Sequence, residues 1–128
     1  MTAKPLTTPM KSETQATDHA IDKMRDCPVM TTVEIMGGRW KPRILWHLRS
    51  RAASFGELQR ATEASERMLS KSLRELEAHK VITRTVVPVG KVVTTQYAFS
   101  EYGLTLVPVL DAMGQWGLGY QRGQTQAP

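Results

Sequence analysis

The segment Ser65-Glu-Arg-Met-Leu-Ser-Lys-Ser-Leu-Arg-Glu-Leu-Glu-Ala-His-Lys80 decides the fold of this chain. Ser65 is a good helix N-cap, and Leu69, Leu73 and Leu76 follow it at the i, i+4 and i+7 spacing of one helix face. A second face carries polar and basic residues at positions i, i+3, i+4 and i+7: Arg67, Ser70, Lys71 and Arg74. The segment therefore predicts an amphipathic helix over 65–80, with one face for packing and one that is mostly basic.

Three shorter helices are predicted on the N-terminal side of this segment. Pro28 suits the first turn of a helix because its missing N–H has no partner there, and the Gly37-Gly38 pair marks the end of that helix. Apolar residues at helical spacing indicate the second helix, and Ser54 can cap the third. The predicted helices cover about 28–37, 41–50 and 55–62.

On the C-terminal side the apolar period changes from 3.6 to 2. Residues 81–87 and 92–99 are rich in Val, Thr, Tyr and Phe and flank the turn Pro88-Val89-Gly90-Lys91, which predicts a β-hairpin. Ser100 can cap a last helix over about 101–119. A basic helix followed by a hairpin is the order of a winged helix-turn-helix, so we predict a mainly α fold with a small β-hairpin (α+β).

The length of 128 residues predicts one domain, over 23–120, with flexible tails over 1–22 and 121–128. A hydrophobic share of 41% and a charged share of 23% exclude a disordered or fibrous chain. No apolar run is long enough to cross a membrane, and the first 20 residues are too polar for a signal peptide. We therefore expect a cytoplasmic protein that does not bind a membrane.

Cysteine and histidine usage argues against a metal site. The single Cys27 excludes a disulfide within the chain and a cysteine-cluster zinc site. His19, His47 and His79 have no ligand-like spacing. We predict neither a metal nor a cofactor.

Positive charge is concentrated in the middle of the chain. Residues 39–91 contain 12 Lys and Arg against five Asp and Glu, a net charge of +7, although the whole chain carries only +5. A concentrated basic surface suits a polyanion, because neutralised phosphates release their counterions. The alternative is a solvated surface with a chance excess of charge.

The basic helix face and the hairpin tip supply the predicted DNA contacts. A helix fits the major groove of B-DNA, and Arg67 and Ser70 lie near the helix start, where side chains reach base edges. Lys71 and Arg74 would meet base edges or the flanking backbone, and Lys91 a phosphate or the minor groove. The alternative is an ordinary solvated helix face stabilised by charge pairs.

The last helix carries apolar residues on two faces, one of which needs a second partner. A homodimer through the first and last helices would cover it, and the alternative is that the N-terminal helix folds over that face within one subunit. The face toward the domain would hold Leu104, Val107 and Leu110. The predicted dimer interface consists of Val29, Val33, Met36, Leu106, Val109, Met113 and Trp116.

A series of motifs lies in order over 27–117. They are Cys27-Pro-Val29, Ile35-Met-Gly-Gly-Arg-Trp-Lys41, Ile44-Leu45, Phe55-Gly-Glu-Leu58, Arg67-Met-Leu-Ser-Lys-Ser-Leu-Arg-Glu-Leu-Glu77, Tyr97-Ala-Phe-Ser-Glu-Tyr-Gly103, Pro108-Val-Leu110 and Trp116-Gly117. The series resembles the HxlR-type transcriptional regulators, winged helix proteins related to MarR. The resemblance implies a dimeric, sequence-specific DNA-binding regulator, with the first and last helices in the dimer and helix 65–80 in the major groove.

Two positions depart from that pattern. The family often has a basic residue where this chain has Ser54, and a Pro-Pro-Arg-Val-Glu-Tyr wing where this chain has Val92-Val-Thr-Thr-Gln-Tyr97. Arg51 or Lys91 can replace the phosphate contacts that these changes remove. The full set of predicted DNA-binding residues is Ser65, Arg67, Met68, Ser70, Lys71, Arg74, Lys91, Arg51 and Ser54.

Cys27 directly precedes Pro28, at a helix N-terminus where the helix dipole favours a thiolate. Some relatives that this chain resembles sense quinones, aldehydes or oxidants through a cysteine at the matching position. The alternative is a partly buried cysteine that packs at the helix start and reacts with nothing in the cell. Both interpretations stay open, as does binding of a small effector in an apolar pocket at the dimer seam.

These features together predict a transcriptional regulator, most simply a repressor. We expect it to bind a pseudo-palindromic operator in double-stranded DNA as a homodimer, under redox, electrophile or small-molecule control. No phosphate loop, nucleophile elbow or catalytic His-carboxylate grouping is present, so we predict no enzyme. The alternatives are a winged helix adaptor that binds protein and an architectural protein that binds DNA without sequence preference.

Overall fold

The computed structural model describes residues 27–126, and the side chains as far as residue 123. The predicted tail over 1–22 and the predicted domain start at 23 lie outside the described residues. In chain order the elements are α1 (Pro28–Met36), α2 (Lys41–Leu48), β1 (Ala53–Ser54), α3 (Phe55–Thr62), α4 (Glu66–Ala78), β2 (Ile82–Val89), β3 (Val92–Phe99), a 3-10 helix (Gly103–Leu106) and α5 (Val107–Gln126). This order confirms the mainly α fold with a small β-hairpin and the winged helix-turn-helix arrangement.

The chain divides into two units between Glu34 and Ile35. The first described unit contains most of α1, in which Val29 and Val33 are exposed. The second contains all the remaining elements. Met36 belongs to this second unit and is buried in its core, so its predicted place in a dimer interface is wrong.

The core of the second unit forms around the leucine face of α4. Leu69, Leu73 and Leu76 are all at most 1% exposed, as the helical spacing predicts. They belong to one cluster with apolar residues from α2, α3 and the sheet, including Ile44, Leu45, Leu58, Ala53, Ile82 and Tyr97. Burial of this face turns the opposite, polar face of α4 outward.

The hairpin belongs to a three-stranded antiparallel sheet of order β1-β3-β2. β1 is a two-residue strand in which Ala53 pairs with Tyr97, and it is too short for a sequence pattern to reveal. Pro88 and Val89, predicted in the turn, extend β2 instead, because the strands are connected through Gly90 and Lys91 alone. Gly90 adopts a φ of +64°, which glycine tolerates at no steric cost.

The segment after the sheet differs from the predicted helix over 101–119. Ser100 caps a 3-10 turn: its hydroxyl accepts a hydrogen bond from the Gly103 N–H at 2.8 Å and donates one to the Lys80 carbonyl at 2.7 Å. A 3-10 helix has three residues per turn, so the predicted faces do not hold before residue 107. Leu104 is therefore exposed, and Leu106 packs partly against the core of its own chain, while its place in a dimer interface stays a prediction.

The last helix is also longer than predicted. α5 extends to Gln126, so a helix occupies 121–126, where the sequence predicted an unstructured tail. The polar composition of this segment suggested a tail, yet it contains no proline before Pro128 to end the helix. Leu110 is the buried apolar residue of α5, at 3% exposure.

Candidate nucleic-acid interface

The start of α4 is fixed by its own cap. The Ser65 hydroxyl accepts a hydrogen bond from the Met68 N–H at 3.1 Å. Thr62 closes the preceding turn, since its hydroxyl donates to the Leu58 carbonyl at 2.8 Å and accepts from the Ala64 N–H at 3.3 Å. These local bonds hold α3 and α4 in a helix-turn-helix with a three-residue turn.

The basic face of α4 lies outside, as predicted. Arg67, Lys71 and Arg74 are exposed, Met68 is 37% exposed and Ser70 is half-buried. Within the described part of the chain, no carboxylate comes within ion-pair distance of Arg67 or Arg74. Both guanidinium groups therefore remain available to an anion.

Lys71 differs from the two arginines because it is already paired. Its Nζ lies 2.7 Å from Oε2 of Glu75, and Nζ of Lys41 lies 2.8 Å from Oε1 of the same carboxylate. The hydrogen bond from Lys41, and then that from Lys71, lowers the pKa of Glu75 to about 2. Lys41 therefore ties α2 to α4, and an approaching phosphate competes with Glu75 for Lys71.

Ser54 has a structural role that the DNA-contact prediction missed. Its hydroxyl accepts from the Glu57 N–H at 3.1 Å, and the Glu57 carboxylate accepts from the Ser54 N–H at 2.9 Å. This capping box begins α3, and the hydrogen bond from the Ser54 backbone lowers the pKa of Glu57. Arg51, two residues before β1, is exposed and unpaired in the described structure.

The hairpin tip is more apolar than the predicted contact through Lys91 suggests. Lys91 is exposed beside Gly90, as predicted. Around it the sheet exposes four valines, each at 58–65% of its surface: Val86, Val89, Val92 and Val93.

A cleft of about 630 Å³ separates α4 from the sheet. Ser70, Arg74 and Glu77 line it from the helix, and Arg84 and Tyr97 line it from β2 and β3. Arg84 and Tyr97 are direct partners across the two strands. Neither residue is among the predicted site residues, because only the strand register brings them opposite the helix.

Away from the candidate nucleic-acid interface, α5 exposes part of the predicted dimer face. Val109, Met113 and Trp116 are exposed by 40%, 50% and 70%. Trp116 stacks on Tyr120 with ring centroids 5.4 Å apart. A second, mostly apolar cavity of about 450 Å³ lies between this helix and α2, lined by Met113, Trp46 and six other residues.

Cys27 is partly exposed and lies immediately before α1. Its carbonyl accepts the Thr31 N–H at 3.1 Å, so the residue occupies the helix N-terminus, as predicted. Over residues 27–126, no cluster of three His, Cys, Asp or Glu side chains could hold a metal ion. No helix in the same range is long and apolar enough to cross a bilayer.

The fold and this surface together define the class of protein. Two helices joined by a three-residue turn, an exposed basic face on the second helix and a hairpin beside it form a winged helix-turn-helix of the DNA-binding type. Residues 35–125 match the HxlR-like helix-turn-helix family, so the chain belongs to that family and is a transcriptional regulator of the helix-turn-helix type. The resemblance drawn from the sequence motifs is confirmed.

Three similar proteins illustrate the match. YdeP of Bacillus subtilis (strain 168), an HTH-type transcriptional regulator, is 39% identical over 116 residues, which make up 88% of this chain and 88% of YdeP. The reduced form of the redox regulator HypR has a TM-score of 0.68 at 32% identity and covers 74% of this chain and 94% of its own. The reduced form of the transcriptional regulator YodB from B. subtilis has a TM-score of 0.61 at 30% identity, and the match covers 70% of this chain and 89% of the YodB chain.

Proposed function

We propose that this chain binds a specific DNA operator as a homodimer and represses transcription from it in the cytoplasm. The observation that carries the proposal is the exposed face of α4, where Arg67 and Arg74 have no ion-pair partner in the described structure while the leucines of the opposite face are buried. A guanidinium near the helix N-terminus, here that of Arg67, can bond base edges in the major groove. Occupying a promoter would then exclude the polymerase.

The operator is a pseudo-palindrome in this proposal. Two copies of α4 related by a twofold axis would enter successive major grooves on one side of the duplex, so the half-sites lie about 10 base pairs apart, or a small multiple of that distance. The exposed Val109, Met113 and Trp116 support a dimer contact along α5, because an isolated chain would leave them in water.

Selection of binding sites from random DNA tests this proposal, followed by gel shifts of the selected duplex over a range of salt concentrations. An inverted repeat should be enriched, and the affinity for it should fall steeply with salt because bound phosphates release counterions. Weak binding without sequence enrichment would indicate an architectural protein. No salt-sensitive binding at all would favour a protein-binding adaptor and refute the proposal.

We also propose that the thiol of Cys27 controls DNA binding through oxidation or alkylation. Two observations support this: the partly exposed thiol lies at a helix start, and HypR, which is similar to this chain, is a redox regulator. Such a modification would have to alter the dimer, because Cys27 belongs to a different unit from α4.

Operator binding by wild type and by Cys27→Ser, with and without diamide or a quinone, tests this control. We expect release of DNA by the treated wild type and none by the variant. Equal responses of the two proteins would exclude Cys27 as the sensor. An aromatic compound that does not react with thiols can be added instead. If it releases DNA from wild type and from Cys27→Ser to the same extent, a small effector is indicated.

A further inference from the structure

The cleft between α4 and the sheet holds hydrogen-bond donors from four side chains on three elements. Arg74 and Ser70 come from the exposed side of α4, whereas Arg84 and Tyr97 come from the paired strands β2 and β3. Arg74 also belongs to the basic face of α4, so the cleft continues the candidate DNA-binding surface toward the hairpin. One carboxylate, that of Glu77, shares the cleft with the two guanidinium groups.

Tyr97 and Ser70 each bring a hydroxyl group to the cleft. Tyr97 is only 7% exposed, yet neither its hydroxyl nor that of Ser70 forms a hydrogen bond among the described residues. Burial raises the pKa of Tyr97, and the nearby Glu77 carboxylate raises it further, so the phenol stays a protonated donor. Among the described residues the Tyr97 hydroxyl is not a buried unpartnered atom, so it opens onto the cleft, where an anion can reach it together with the Ser70 hydroxyl.

Glu77 orients the guanidinium group of Arg84 but does not occupy all of its hydrogen-bond donors. Its Nε lies 3.7 Å from Oε1 of Glu77, longer than a normal hydrogen bond, and its side chain is 53% exposed. Arg84 therefore keeps donors for a second acceptor. With Arg74, the cleft carries two positive groups against one negative group.

We propose that this cleft binds one phosphate of the DNA backbone through Arg74, Arg84, Tyr97 and Ser70. The proposal rests on the proposed DNA-binding function and adds a contact at the sheet. If α4 lies in the major groove and the hairpin reaches the adjacent minor groove, the sugar-phosphate strand between the grooves passes over the cleft that separates the two elements. The phosphate fixes the position of the protein on the duplex and reads no base.

The test uses the selected operator with a single neutral methylphosphonate linkage placed at each backbone position in turn. At one linkage in each half-site, we expect the neutral group to weaken wild-type binding by about tenfold. Arg84→Gln should weaken binding to the unmodified operator by about as much, and the neutral linkage should then cost this variant little more. Such non-additivity at one linkage identifies the residue and phosphate that contact each other.

Two further variants separate charge from hydrogen bonding. Arg84→Gln should reduce the salt dependence by about one counterion, on operator and random DNA alike. Tyr97→Phe keeps the packing and should weaken binding at the same linkage without changing the salt slope, because the phenol is neutral. Glu77→Gln removes the opposing carboxylate and should strengthen DNA binding. Arg122→Gln is the control, because it removes the same charge from α5 instead of from the cleft, and it should leave the linkage pattern unchanged.

If the loss of affinity from Arg84→Gln and the loss from the neutral linkage add at every backbone position, the proposal is overturned, even if wild type still selects an operator. Binding of inorganic phosphate that Arg84→Gln abolishes, with no effect of either the phosphate or the variant on operator affinity, would assign the cleft to a free anion and overturn the backbone contact. Failure of wild type to prefer any sequence, with Arg84→Gln still lowering the affinity for random DNA and its salt slope, would refute the proposed operator recognition alone.

Discussion

Arg67 is the residue on which sequence preference should depend. It is exposed one turn before Ser70 and Lys71, near the capped start of α4. We predict that Arg67→Ala reduces the preference for operator over random DNA by about 10-fold or more, since a bidentate base contact contributes roughly 1–3 kcal/mol to discrimination. Competition gel shifts with both DNAs measure this ratio.

Lys91→Ala is the matched comparison at the hairpin tip. It should weaken binding to both DNAs alike and lower the salt slope by about one, because a phosphate contact carries no sequence information. If Arg67→Ala also weakens both DNAs equally, Arg67 does not read a base.

The shared carboxylate of Glu75 leads to a prediction about acid stability. Its pKa is lowered from 4.5 to about 2 in the folded protein, first by the hydrogen bond from Lys41 and then by that from Lys71. A lowered folded pKa contributes stability above the unfolded value, and this contribution is lost as the pH falls from about 4.5 to about 2. Wild type should therefore be more stable than Glu75→Gln at pH 7, and the difference should vanish near pH 2.

Urea denaturation of both proteins at several pH values checks this prediction. Glu101→Gln is the control, because Glu101 is exposed and has no ion pair in the described structure. A difference between wild type and Glu75→Gln that stays constant down to pH 2 would show that the ion pairs do not contribute.

Individual residues also show what the sequence could predict. The cap at Ser65 and the inward leucines follow from spacing along one helix, so local pattern was enough to find them. The partnership of Lys41 with Glu75 and the position of Arg84 opposite α4 depend on how separate elements pack. No periodicity in a single sequence carries that information.

At the scale of the element, α3 depends on its capping box. Ser54→Ala removes the acceptor for the Glu57 N–H and should lower the free energy of unfolding by about 1 kcal/mol. Ser54→Asp retains a capping acceptor and should keep most of the stability. Chemical denaturation measures both variants, and equal stabilities of wild type and Ser54→Ala would exclude a contribution from the cap.

The 3-10 helix depends on Gly103 in a similar way. A Cβ at this position would lie 1.9 Å from the carbonyl oxygen of Val81, a backbone atom that cannot move freely. Gly103→Ala should therefore destabilise the fold by about 2 kcal/mol or more. Gly117→Ala, where nothing lies within 4 Å, should leave stability unchanged or raise it by about 0.5–1 kcal/mol. Thermal unfolding of both variants compares them, and equal melting temperatures would exclude the steric argument.

The same segment explains the largest error of the sequence prediction. A continuous helix over 101–119 would place Leu106 on the outer face and Leu104 on the inner one, and the 3-10 turn reverses them. The cause is the capping bond from Gly103 to Ser100 together with the Val81 backbone, which is a contact between distant parts of the chain. Helix identity from residue 107 onward was predictable, because there the apolar spacing matches the α-helix.

For the whole molecule, the exposed ring of Trp116 predicts the oligomeric state. Trp116→Glu should convert the proposed dimer to a monomer, since it places a charge on an apolar contact. Sedimentation should show the smaller species, and binding should persist only weakly at single half-sites. Tyr102→Glu is the control, because Tyr102 is 73% exposed and lies outside the predicted interface. A dimer that survives Trp116→Glu would locate the contact elsewhere.

The sheet order has a consequence for behaviour at high concentration. With the order β1-β3-β2, the hairpin presents β2 as a free edge bearing exposed Val86 and Val89. Such an edge invites strand addition from another chain and, from there, aggregation. Pro88 lacks an N–H and Arg84 carries a charge on the same strand, two devices that limit strand addition. The valines of the hairpin can thus remain exposed while strand addition at this edge is opposed.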